Sequence, residues 1–371
     1  MPSQLTIEDL PVPATPDAPG GADFAAIQQL FRDAAREELG HEDLVSSDAV
    51  QLARLQPSPY GRNLLLVARS GIGATAPVIA AALVFLPQAE NLNAADIDLV
   101  VAPAWRRQGV GTRLLARATE LCVREGRGIL NGYAELSLSS GDSVGAPGPG
   151  MEVMAPESGA GWVAAGAPST AFAVVHGFTL GQVERGSRVD VQPATAAVAD
   201  RLELDAVAVS RGYDTVTWTG PVPDWAVEDY CRIIERMDTD PPPGGLEFEP
   251  SSWDATRLRT MEGRRQRQGT TSVVTVARQA ATGKLVAYTE LVVFAGREEV
   301  AFQEGTLVLP EHRGHRLGQL VKARNHRELA RLQPLVERIY TWNAAENAYM
   351  LRINEALGFT ACLVEAAWTR K

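Results

Sequence analysis

Apolar residues at Phe24, Ile27, Leu30 and Phe31, followed by Ala34 and Ala35, repeat at helical spacing over 22–39, and Gly40 supplies a stop. Apolar runs at 63–67, 78–86 and 97–101 then read as strands. The last of these runs into Pro103, and helical spacing resumes over 111–125. A further strand is expected at 129–136. The Gly/Ser/Pro/Ala-rich stretch 137–168 that follows is expected to be an inserted, largely flexible loop. A short helix at 169–175 leads through Gly177 and Phe178 into a strand ending near Val191. The Pro-rich residues 1–20 are expected to form a flexible arm.

An Ala-rich helix over 195–211 then links to a second run of the same elements. Strands are expected at 214–219, 272–278, 285–294 and 300–309, with helices at 225–237 and 253–268 before the second of them. The strand at 300–309 again meets a proline, Pro310, and a helix follows over 317–332. A strand at 339–342 and a helix at 346–357 lead through Gly358 and Phe359 to a final strand.

The repetition can be measured. Val101, Pro103, Arg106 and Gly111 recur as Val308, Pro310, Arg313 and Gly318 at a constant shift of 207, without a gap. Gly177 and Phe178 recur as Gly358 and Phe359 at a shift of 181; the 26-residue difference is close to the length of the Gly/Pro-rich insertion. The expected organisation is therefore an arm at 1–20, a domain at 21–192 with its loop at 137–168, a linking helix at 193–212, and a second domain at 213–371. The fold class is α/β in the α+β sense. Each half is a mixed, mostly antiparallel twisted sheet flanked by helices.

Composition narrows the function. With 35 basic against 45 acidic residues the net charge is −10, which disfavours nucleic acid as a partner. Cys122, Cys231 and Cys362 are too far apart for a disulfide framework or a thiolate cluster, so a reducing, cytoplasmic setting is expected. The five histidines contain no HExxH pair, and no metal is expected. The first 20 residues lack the basic flank and apolar core of a secretory leader, and no run of 18 apolar residues suggests a membrane span.

Chemistry concentrates in two turns. A strand that ends in a glycine-rich turn opening a helix offers unpaired backbone N–H groups and the positive end of the helix dipole to an anion. Residues 101–111, VAPAWRRQGVG, have this form, and residues 308–318, VLPEHRGHRLG, repeat it with Arg316 where the central glycine should be. In the pattern Val-x-Pro, a short spacer, then Arg-x-x-Gly-x-Gly, the chain resembles the GNAT superfamily of acyl-CoA-dependent N-acyltransferases. It is most similar to the tandem-domain actinobacterial type exemplified by mycothiol synthase. The resemblance implies acetyl-CoA as acyl donor, a small-molecule amine as acceptor, and a monomer or homodimer. It implies CoA contacts from Val101, Arg106, Arg107, Gln108, Gly109, Val110, Gly111 and Thr112 in the first turn. In the second it implies them from Val308, Arg313, Gly314, His315, Arg316, Leu317, Gly318 and Gln319. Arg316 either points away, leaving its N–H in the cradle, or adds charge toward the phosphates.

The resemblance also ranks the two halves. In the second, TWNAAENAYMLRINEALGF (341–359) places Asn343 and Asn347 where the family keeps an asparagine near the pantetheine arm. Asn354 stands where many members carry an acid tyrosine, and Tyr349 is the nearest phenol, either as its substitute or as a core residue. The first half has Ala173 at the tyrosine position and no asparagine, so the reaction is expected in the second. Glu304, on the strand entering the second turn, is the expected base or else an exposed strand charge; alternation groups it with Thr306 and Val308. Lys322 is expected to face solvent, and His312 and His315 to be turn histidines. The acidic, Pro-rich 238–250 is expected to be a stiff turn near the acceptor site. The alternatives are a non-catalytic acyl-CoA sensor or partner-binding protein, and an acyltransferase with a different acyl-CoA.

Overall fold

The structure is a computed structural model that describes residues 5–138, 147, 148, 150–240 and 244–371. The first elements are β1 (Leu5–Leu10), α1 (Gly21–Leu39), α2 (Asp48–Leu55), β2 (Gly61–Ser70), β3 (Val78–Pro87) and β4 (Ala94–Val101). Next come α3 (Val110–Arg124), β5 (Ile129–Ser137), β6 (Val153–Met154), β7 (Val163–Ala164), α4 (Pro168–Val175) and β8 (Thr179–Asp190). The middle of the chain holds α5 (Pro193–Val207), β9 (Tyr213–Thr219), α6 (Val227–Glu235), α7 (Ala255–Arg267) and β10 (Thr271–Gln279). The last are β11 (Leu285–Val293), β12 (Val300–Val308), α8 (Leu317–Leu332), β13 (Arg338–Ala344), α9 (Ala348–Ala356) and β14 (Thr360–Arg370).

The chain forms two compact units, and neither is continuous in sequence. The first comprises Met1–Val183, Gly244–Glu249 and Leu363–Lys371; the second comprises Glu184–Pro243 and Pro250–Cys362. In the first unit β1, β2, β3 and β4 pair antiparallel in order, β4 pairs parallel with β5, and β5 pairs antiparallel with β14. In the second β9, β10, β11 and β12 pair antiparallel, β12 pairs parallel with β13, and β13 pairs antiparallel with β8. The terminal strand of each half of the sequence is thus a strand of the other half's sheet.

Each sheet is covered on both faces. In the first unit Phe24, Ile27 and Leu30 of α1 and Leu52 and Leu55 of α2 pack on Leu65, Val67 and Val100, while Leu114, Leu115, Ala118 and Cys122 of α3 cover the opposite face. In the second, α6 and α7 bury Tyr230, Ile233 and Leu258 against Val274, Val276 and Tyr288. Their opposite face carries α8 and α9, whose Ala323, Leu329 and Ile353 meet Val273, Leu291 and Ala301. Cover on both sides explains why β10 and β11 read as near-continuous apolar runs.

Three expectations change. Leu5–Leu10, expected within a flexible arm, is a strand paired along its whole length with β2. Its alternation is only Leu5 and Ile7, with Leu10 packing into a different cluster, and prolines follow directly. Helix α2 carries apolar residues at Val50, Leu52 and Leu55 and had no counterpart in the sequence reading. Within the insertion, Val153–Met154 and Val163–Ala164 pair as a small antiparallel ladder, with Val163 buried. The parts of that insertion at 139–146 and 149, and residues 241–243 of the stiff turn, lie outside the described residues.

Candidate functional site

Both parallel pairs come apart at the same repeat position. The β4–β5 pairing ends at Asp96 with Asn131, and the β12–β13 pairing ends at Gln303 with Thr341. Beyond these points β4 and β12 run on to Val101 and Val308, so the edge of each facing the notch keeps backbone groups free to pair with an extended ligand. Each notch leads to one of the two turns.

In the first turn Arg107 (φ 59°) and Gly109 (φ 79°) are left-handed; in the second the same two positions are Gly314 (φ 83°) and Arg316 (φ 54°). The departure at Arg316 therefore leaves the backbone path unchanged, with the glycine and the arginine trading places. The first main-chain bond of α3 runs from Arg113 N to Gly109 O, which leaves the amides of Val110, Gly111 and Thr112 without main-chain acceptors. In α8 the bond from Leu320 N to Arg316 O does the same for Leu317, Gly318 and Gln319. A Cβ on Gly111 would lie 3.2 Å from Phe172, and one on Gly318 3.3 Å from Ile353, so these glycines serve helix packing.

Arg106 and Arg313 brace the turns. Arg106 Nε donates to Val101 O at 3.0 Å, and its two terminal nitrogens form a bidentate pair with Glu37 of α1. Arg313 Nε donates to Val308 O at 3.1 Å, and the guanidinium pairs with Asp240 at 2.7 Å. Gln108 donates to Ala104 O, Thr112 meets His176 at 3.1 Å, and Gln319 donates to Leu202 O. His312 meets the Tyr213 hydroxyl at 3.0 Å, and the carbonyl of His315 accepts from Ser210. Arg107, His315 and Arg316 are exposed.

Glu304 lies at the mouth of the second notch, one residue past the last β12–β13 pair. Opposite Glu290, β12 carries a bulge between Gln303, which pairs with Leu291, and Thr306, which pairs with Thr289. The extra residue overturns the simple alternation. Gln303 Nε2 donates to Thr289 Oγ1 and the Thr306 hydroxyl meets that same oxygen at 2.7 Å, so Thr306 shares a side with Gln303 and not with Glu304. A Cβ built on Gly305 would point at Tyr288 and Met237, on the α6–α7 face.

Asn347 caps α9, accepting from Met350 N, and Asn343 accepts from the buried Asn354 amide at 2.5 Å. Tyr349 is half exposed, and its ring lies 4.0 Å from where a Gly318 Cβ would stand, so it borders the second turn and is not a core residue. Lys322, expected to face solvent, is 1 % exposed, its ammonium 5.8 Å from the Phe359 ring. Burial pushes it down to about 7, and burial with the Lys322 charge pushes the neighbouring His326 down to about 3.

The first notch holds carboxylates that the sequence reading passed over. Asp98 lies two residues beyond the last β4–β5 pair, on the same side of β4 as Val100. Solvent reaches Asp98, yet protein crowds it enough for desolvation to raise its carboxyl to about 6. Desolvation and the nearby Asp98 raise Glu135, on β5, to about 7. Asp96 is also raised by burial, against a hydrogen bond from Asn131. Two aspartates inside the otherwise apolar AADIDLVV were the available signal.

Among the described residues no group of three His, Cys, Asp or Glu side chains is arranged to hold a metal, and no helix is long and apolar enough to cross a membrane. Residues 25–137 match the Acetyltransferase (GNAT) family. No curated protein is similar enough in sequence to count as a relative. Among solved structures, a tandem GNAT protein from the clavulanic acid biosynthesis pathway is 26% identical, with a TM-score of 0.72 over 99% of this chain and 98% of that one. A GCN5-related N-acetyltransferase from Sphaerobacter thermophilus shares the fold at 13% identity, with a TM-score of 0.63 over 99% and 95% of the two chains. So does the glucosamine N-acetyltransferase region of a fungal multi-domain β-N-acetylglucosaminidase, at 15% identity and a TM-score of 0.63, over 100% of this chain and 38% of that one.

Proposed function

We propose that this chain, whose residues 25–137 match the GNAT family and whose whole length is similar to a tandem GNAT protein, is a tandem GNAT acyltransferase that moves an acetyl group from acetyl-CoA to a primary amine of a small metabolite. The two substrates react by direct attack in a ternary complex. The observation that carries this reading is the paired arrangement of each half: a strand that parts from its parallel neighbour and ends in a turn of unpaired amides.

The unpaired amides of Val110, Gly111 and Thr112, and of Leu317, Gly318 and Gln319, suit a pyrophosphate at a helix N-terminus. The free edges of β4 and β12 suit the amides of a pantetheine arm, which would enter each notch as an added strand. Thr112, Gln319 and the exposed Arg107, His315 and Arg316 stand at the rims of the turns, within the set of residues proposed to hold CoA.

We place the reaction in the second unit. Glu304 accepts the proton released as the amine nitrogen bonds to the thioester carbonyl carbon. A backbone N–H of the parted strand stabilises the oxyanion, and the C–S bond then breaks to release CoA thiolate. Tyr349, beside the second turn, is the proposed donor to that thiolate. Asn343 and Asn347 shape the end of β13 and the start of α9, where the arm would pass. The neighbour's place in clavulanic acid biosynthesis supports an acceptor from a secondary-metabolite pathway.

A second reading puts the reaction in the first unit, with Asp98 as base. The raised carboxyls of Asp98 and Glu135 favour it, since a base that titrates near neutrality is efficient at neutral pH. Thiol release from acetyl-CoA, measured with a panel of amines, tests both. Glu304→Gln lowers kcat/KM by about 100-fold or more on the main reading, and Asp98→Asn does so on the second. Calorimetry that detects no acyl-CoA binding would exclude both.

A further inference from the structure

Tyr288, on β11, is 4 % exposed as a residue; no described group hydrogen-bonds its hydroxyl, yet the oxygen is not sealed away, since it is not among the buried polar atoms left without a partner. A phenol whose ring is buried and whose oxygen stays open can meet a group that binds beside it. Its location is specific. The hydroxyl oxygen lies 2.1 Å, and the ring carbon Cζ 3.0 Å, from where a Cβ on residue 305 would stand, so the phenol fits against β12 only because residue 305 is glycine. Gly305 directly follows Glu304 within the bulge. Tyr230, edge-on at 5.5 Å between ring centroids, fixes the Tyr288 ring from the α6 side. Arg265 is tied to Glu290 and Ser272, which leaves it engaged elsewhere.

We propose that Tyr288 is a catalytic residue of the second unit, whose hydroxyl accepts a hydrogen bond from the attacking amine and passes its own proton to Glu304. The inference rests on the acyl-transfer reading above. In the step, the amine nitrogen forms the C–N bond and gives up one proton to the Tyr288 oxygen, while the Tyr288 proton moves to the Glu304 carboxylate. The phenol is neutral before and after, and the electron pair of the C–S bond leaves with CoA thiolate, which is protonated afterwards. Burial and the neighbouring carboxylates of Glu290 and Glu304 hold the phenol well above its usual range, which suits a group that relays a proton and never stays ionised.

The test is Tyr288→Phe in the full chain, assayed with acetyl-CoA and a panel of spermidine, an aminoglycoside and amino-acid amides. The expected result is a kcat at least 30-fold lower, with KM for acetyl-CoA, its calorimetric affinity and the melting temperature all unchanged. A purely structural tyrosine would move the melting temperature and leave kcat. Gly305→Ala, which displaces the phenol while keeping it, is expected to lose kcat in the same way; if that variant does not fold, Tyr288→Phe decides alone. Retention of kcat within twofold in Tyr288→Phe, with loss in Glu304→Gln, overturns the role of the tyrosine and leaves the wider reading intact. A wild-type protein that acetylates no amine of the panel overturns both.

Discussion

Arg316 takes, in the second turn, the left-handed backbone position that Gly109 takes in the first. An L-residue with a side chain pays about 1–2 kcal/mol there, and glycine pays almost nothing. Nothing stands within 4 Å of where a Gly109 Cβ would go. Gly109→Ala should therefore lose about 1 kcal/mol of stability through the backbone alone, read as a lower denaturant midpoint. Arg316→Gly should be near neutral, because relief of strain is offset by a freer unfolded chain. A silent Gly109→Ala would show that the turn tolerates side chains at this position without strain.

Arg106 holds the end of β4 through one carbonyl, that of Val101, and one carboxylate, that of Glu37. The ion pair with Glu37 is partly exposed and contributes less than about 1 kcal/mol. Loss of the carbonyl bond in Arg106→Ala adds about 1 kcal/mol. The larger effect is expected in a several-fold rise in KM for acetyl-CoA, measured by initial rates. Arg106→Lys should not restore it, since an ammonium cannot make the forked contact.

The two units should respond to pH in opposite directions. Asp98 and Glu135 have folded pKa values raised above their unfolded ones, so the first unit binds extra protons and loses stability as pH rises from about 4 to 7. Lys322 has a folded value near 7 against an ordinary 10.5, so the unfolded chain binds the extra proton and the second unit gains stability as pH rises from about 7 to 10. Thermal melts across pH 4–10 test this. Asp98→Asn should flatten the first slope, and Lys322→Met the second, with the methionine variant more stable at pH 7.

Stopping the chain after Cys362 should damage the first unit. It removes the strand that pairs with β5, together with Ala366, which is fully buried, and Trp368, which is 3 % exposed. Hydrogen exchange is expected to show loss of protection in β5 and in Leu136, with protection retained in β10 and β11. Protection kept throughout β5 would show that β14 is dispensable.

Much of this architecture was legible because the determinants are local. The helical spacing of α1 and α8, the Gly40 stop and the two Val-x-Pro turns are written in a few adjacent residues. The bulge was not legible, since it depends on how Gln303 and Thr306 register against Leu291 and Thr289 across another strand. Lys322 was misread for a related reason: its ammonium is buried beside Phe359, 37 positions away in the sequence. Tyr288 gave no signal at all, because one buried tyrosine in an apolar strand looks like packing until Gly305 is placed against the end of its ring. Pairing across the strand order is equally non-local, so the sequence pattern assigned β8 and β14 to the halves that precede them.

The crossing of the last strands also sets an order on the making of the protein. Strand β5 is complete about 230 residues before the strand that will lie beside it, and at roughly 5–20 residues per second that interval is on the order of 10–50 s. Through it the first unit holds an open sheet edge, the kind of surface that pairs with other chains. The second unit waits for nothing, because β8 is synthesised before any other strand of its sheet. The half made first is thus the half finished last, and its exposed edge during synthesis is where a chaperone or an early misfolding event would act.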